Sequence, residues 1–242
     1  MKNLPKILFF LWLSIALLMA SDEEMELEPF VVPPIVRNTH ITKMDLSNAG
    51  FTNIDFIFCF PNLIELELYQ NPRLTSIRPL LVLKNIEKLN LSTCCEVRDV
   101  ELLSNLTTLK KLKLACMFSE EIEEREAVSL AFVMPLTKLR SLDISSNLYI
   151  FSIEPITAHP RITHLFASGL HSVQDWDILG RMTRLKELDI HANYMHHRNK
   201  SHPNHMHFLK NLVNLEKLTL GRWLHHKKIV ADLPKLTDIT VK

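Results

Sequence analysis

Leu63-Ile64-Glu65-Leu66-Glu67-Leu68-Tyr69-Gln70-Asn71 begins a unit whose second half reads Leu74-x-x-Ile77-x-Pro79-Leu80-x-x-Leu83. Its opening has the form apolar-x-x-apolar-x-apolar. That form recurs upstream as Ile41/Met44/Leu46. Downstream it recurs as Ile86/Leu89/Leu91, Leu109/Leu112/Leu114, Leu139/Leu142/Ile144, Ile162/Leu165/Ala167, Leu185/Leu188/Ile190, Leu215/Leu218/Leu220 and Leu236/Ile239/Val241. Successive copies start 22, 23, 23, 30, 23, 23, 30 and 21 residues apart. Self-similarity at such a period describes a stack of nearly equal turns.

Alternate side chains of a strand point to opposite faces. Leu66 and Leu68 therefore share one face, and Glu65, Glu67 and Tyr69 share the other. A single turn cannot cover its own apolar row. Stacked turns cover one another, with parallel strands about 4.8 Å apart. Leu66, Leu89, Leu112 and Leu142 are expected side by side along a dry spine, each contributing about 1.5–3 kcal/mol by burial.

With these copies, residues 41–242 resemble a leucine-rich-repeat protein. The resemblance is to the short class of 22–23 residues, which includes internalins and the leucine-rich-repeat regulator of the type-one protein phosphatase. It implies an α/β solenoid, curved like a horseshoe. Parallel strands would line its concave face, with short 3₁₀ or helical turns on the convex face. The family's ninth position is usually Asn, whose amide satisfies the turn after each strand. Asn71, Asn147 and Asn193 match, Cys94 is a familiar substitute, and Ala49, Met117, Leu170 and Trp223 depart. The interrupted Asn row predicts less regular turns. The cysteine-rich caps of many extracellular relatives are absent, since no cysteine precedes Cys59 or follows Cys116.

Residues 1–20 have the layout of a secretory signal peptide: Lys2 and Lys6, an apolar run from Ile7 to Leu18, then small residues before Asp22. That run is shorter than the roughly 20 residues of a membrane span. Secretion follows as an expectation, with no membrane attachment after cleavage. Residues 21–40, acidic and then Pro-rich, form a lead-in to the repeat domain at 41–242. Export allows pairing among Cys59, Cys94, Cys95 and Cys116. Neighbouring strand ends favour Cys95–Cys116 over Cys94–Cys116, because position nine points inward. Asn90, Asn105 and Asn199 lie in glycosylation tripeptides. Asn105 and Asn199 are expected on return segments, and Asn90 on the open strand face.

The outward strand positions form columns of mixed sign, and the chain has formal charge +1. That argues against nucleic acid, which calls for a strongly basic stripe. Lys88, Lys110, Lys111 and Lys113 make only a local patch. Interface anchors are enriched in large aromatic side chains, so Tyr69 and Phe166, with His164 and His191, are the candidate partner-binding residues, flanked by Glu67 and Lys113. Two copies are longer than the rest. In the first, Ser119 is expected to cap a helix running to about Val133. In the second, His196, His197, His202, His205 and His207 crowd a polar loop, weak candidates for zinc or copper. No G-x-S-x-G elbow, phosphate loop or H-E-x-x-H pair occurs. The sequence predicts a monomeric, secreted module that binds a protein through its concave face, without enzymatic activity or cofactor. An intracellular scaffold like the phosphatase regulator, and metal binding by the His-rich loop, are the alternatives.

Overall fold

The structure is a computed structural model that describes residues 37–118, 127–193, 206–221, 230 and 232–242. Residues 36–242 form one compact unit. Nine strands follow the repeats: β1 Lys43–Asp45, β2 Glu65–Glu67, β3 Lys88–Asn90, β4 Lys111–Lys113, β5 Ser141–Asp143, β6 His164–Phe166, β7 Glu187–Asp189, β8 Lys217–Leu220 and β9 Asp238–Val241. They make one open parallel sheet in chain order. Its register aligns Leu66, Leu89, Leu112, Leu142, Leu165, Leu188 and Leu218 in a single row, as the repeat demands. Short 3₁₀ segments return the chain, such as Arg78–Val82, Val100–Asn105 and Trp176–Arg181; rung five uses a single α-turn, Glu154–Thr157. The row leucines and the apolar side chains of these returns bury one another.

The turns are more regular than the broken Asn row predicts, and the hydrogen bonds explain why. Each asparagine serves two turns. Asn71 Nδ2 donates to its own Leu68 O and to Leu46 O of the previous rung, while its Oδ1 accepts from Phe51 N. Asn147 does the same for Ile144 O, Leu114 O and Phe118 N. Asn193 repeats it with Ile190 O, Ala167 O and Leu170 N. The rungs with Ala49, Met117 and Leu170 at position nine are thus supplied by the next rung's amide. Cys94 plays the part with its sulfur, the thiol donating to Leu68 O at 3.2 Å, and burial pushes that thiol's pKa up to about 11. Every turn from Asn48 to Ala192 then takes the same left-handed step at position eight, including Thr93 at φ 60° and Gly169 at φ 66°. Thr93 is β-branched and holds this step only because the stack determines it.

A second polar row on the return side was not foreseen. Asp99 accepts from Ser76 Oγ at 2.6 Å and Ile77 N at 2.9 Å. Three rungs later, Asp175 takes the equivalent Ser152 Oγ and Ile153 N. The helix expected to reach Val133 needs correction. Its proposed start, residues 119–126, lies outside the described residues. Residues 127–129 are not helical, and a 3₁₀ segment, Leu130–Val133, is capped by Ser129 Oγ.

His159 is 6% exposed. Its Nε2 faces Leu136 O at 3.2 Å, and its Nδ1 accepts from Arg161 N and Ile162 N. These partners require the neutral ring with the proton on Nε2. Burial holds its pKa below the ordinary value. The unfolded chain then binds the proton more readily, so this contribution is complete above the unfolded value of about 6.5 and falls as pH drops toward the folded one. Urea unfolding is expected to show stability declining below about pH 6.5, with a smaller decline in His159→Gln. An equal slope in both proteins would refute the assignment.

Candidate functional site

Strand alternation presents three columns on the face opposite the spine. Half of the middle column is occupied with its own backbone. Asp45, Asn90, Asp143 and Asp189 each accept from the backbone N–H two residues on, at 3.0–3.1 Å. The Ser47 hydroxyl and amide hold the Asp45 carboxyl below its usual range. Glu67 Oε2 accepts from Asn90 Nδ2 at 2.6 Å. In the preceding column Glu65 lies between Lys88 at 3.1 Å and Lys43 at 3.3 Å. The Lys88 bond is the main reason its carboxyl is held low.

Phe166 breaks the middle column with a half-buried phenyl ring. Its register partners are Asp143 on β5 and Asp189 on β7. His164, on the same strand, has Nδ1 2.8 Å from Thr163 Oγ1 and Nε2 3.9 Å from Glu187 Oε2. His191 Nδ1 sits 2.5 Å from Asp189 Oδ1. The strand register thus places Phe166 near two imidazoles, His164 and His191, each beside a carboxylate. Glu187 and Asp189 belong to this cluster, although only the histidines were singled out from sequence. The column pattern places both acids next to them, and that was the usable signal.

The structure does not gather all the predicted anchors. Tyr69, 41% exposed, stands on the second rung, about 19 Å from Phe166 at roughly 4.8 Å per strand. Glu67 stays with Tyr69, bonded to Asn90. Lys113 is half-buried on β4, with Asp143 as its register partner. Two hollows among the described residues lie off this face. One of about 430 Å³ is lined by Thr157, His159, Arg181 and Arg184. The other, about 130 Å³, lies near Phe58 and Arg78.

Asn90 is corrected as an open position. It is 7% exposed, its Nδ2 is held by Glu67, and a sugar there would have to break that bond. Asn105 is exposed on its return segment. Cys95 and Cys116 are adjacent across rungs three and four, the Cys95 thiol donating to Cys116 O at 3.3 Å. His196, His197, His202, His205 and Asn199 lie outside the described residues, as do residues 1–36. His207 begins the 3₁₀ segment His207–Asn211. No group of three or more His, Cys, Asp or Glu placed to hold a metal occurs among the described residues. No helix among them is long and apolar enough to cross a membrane.

No sequence-family profile matches the chain, and no curated protein does. Solved structures do match. The internalin C2 structure from Listeria monocytogenes aligns over 84% of this chain and 81% of its own, with TM-score 0.64 and 24% identity. An internalin F structure from the same organism aligns over 78% and 65%, with TM-score 0.48 and 17% identity. The chain is a leucine-rich-repeat solenoid with the fold of internalin C2.

Proposed function

We propose that this chain is a secreted, non-enzymatic module that holds a protein partner against its concave strand face. The cluster around Phe166 would be the principal contact. The observation that carries this reading is Phe166 itself. It sits mid-sheet, only partly buried, in a column where Asp45, Asp143 and Asp189 are acids turned onto their own backbone. The part of the ring left exposed forgoes some of the roughly 1.5–3 kcal/mol that full burial returns. A partner's apolar group would cover it, while His164, Glu187, Asp189 and His191 provide a polar rim. Tyr69 would contact the same partner at a second point. The signal-like residues 1–20 support export, and Cys95–Cys116 would close as a disulfide in that environment.

The test is affinity capture from extracellular medium on immobilised protein, with mass-spectrometric identification and titration of the captured partner. Phe166→Ala is expected to weaken binding by about 30-fold or more, the size of an interface hot spot of 2 kcal/mol. Tyr69→Ala should have a smaller effect, and both variants should keep the parent's circular dichroism. Undiminished capture by both variants would remove this face from the function.

A further inference from the structure

Strand β9 has β8 on one side and no partner on the other among the described residues. All of its residues are exposed. In the same row positions, Leu218 and Leu220 of β8 are buried, whereas Ile239 and Val241 are 51% and 59% exposed. Asp238 N donates to Glu216 O and Lys242 N to Leu220 O, so these residues turn their backbone groups toward β8. By alternation, Ile239 and Val241 turn theirs outward. An unpaired edge with apolar side chains on one face is a template for another strand.

We infer that this edge pairs with β9 of a second copy of the chain, antiparallel and about a two-fold axis through Thr240. The sequence suits that arrangement at every position. Ile239 meets Val241 of the partner copy as a hydrogen-bonded pair, using the outward backbone groups and joining the apolar side chains on the core side. Asp238 meets Lys242 of the partner copy in the non-hydrogen-bonded, closer type of pair, which brings opposite charges together. Thr240 meets itself. Shifting the register by two residues either way loses the Asp238–Lys242 match. A two-fold contact of this kind is self-complementary and closes at two copies. It joins the two sheets into one with both strand faces on the same side, and it is independent of the partner-binding reading above. The sequence alone offered no reason to expect more than a monomer; the exposed edge does.

Sedimentation equilibrium of the full chain over a wide concentration range tests the inference. The weight-average mass is expected to rise from the monomer's value and level at its double. Asp238→Lys and Lys242→Asp, each placing like charges opposite one another, should each move the midpoint to at least tenfold higher concentration. The Asp238→Lys/Lys242→Asp exchange should restore it. A mass that stays monomeric throughout would overturn the inference. So would growth past the double, which indicates head-to-tail stacking, or an exchange variant that associates no better than the single ones.

Discussion

Asn147→Ala is expected to destabilise the chain by roughly 3–5 kcal/mol, more than its small volume suggests. The side chain is completely buried. It donates to Leu114 O at 2.9 Å and Ile144 O at 2.7 Å, and accepts from Phe118 N at 2.7 Å. Truncation takes a partner from three backbone groups in two consecutive turns. A buried polar group that loses its partner costs about 1–3 kcal/mol, reduced where water can enter. Cys94→Ala is the internal comparison. It removes only weak sulfur hydrogen bonding, such as that to Leu68 O, and about 1 kcal/mol is expected beyond its lost packing. Urea unfolding of both variants checks the order. A loss near 1 kcal/mol for Asn147→Ala would mean that the turns do not depend on the shared amide.

Leu142→Ala is expected to cost about 2–5 kcal/mol, the range for emptying a fully enclosed leucine site. Leu142 is wholly buried, with Leu112 and Leu165 as its register partners on either side. A stacked repeat is coupled only to its neighbours, so damage to a middle rung weakens the link between the two ends. The unfolding curve should therefore lose midpoint and also broaden or separate into two steps. Ile239→Ala, in the same row at the exposed end, should cost well under half as much in the monomer. Equal losses at the two positions would contradict the row as the source of stability.

The repeat was legible in sequence because its signal is geometric. Every copy places aliphatic residues at the same offsets, and only stacked strands in register can bury all of them. Leu66, Leu89, Leu112 and Leu142 accordingly line up. The turns were less legible. A one-dimensional reading assigns each asparagine to its own copy, so Ala49, Met117 and Leu170 look like defects. In space the amide of the following rung reaches back across the roughly 4.8 Å strand spacing and fills them. The same blindness applied to Asp99 and Asp175, whose partners Ser76 and Ser152 lie about one repeat away in the chain. At the candidate site, types of residue were readable and their company was not. Asn90 looked exposed because its position alternates outward, but Glu67 on the neighbouring strand covers and bonds it.

From its sequence alone this protein had a settled architecture: periodic burial admits a wound stack of parallel strands and little else. Which outward side chains are already spoken for was decided only in three dimensions. Lateral hydrogen bonds join residues more than twenty positions apart, and these pairings have no period of their own to read. One of them occupies Glu67 and Asn90, while Asp45, Asp143 and Asp189 fold onto their own backbone; Phe166 is left only partly buried on the same face, and Ile239 and Val241 lie exposed at an edge that no other strand in the described structure covers.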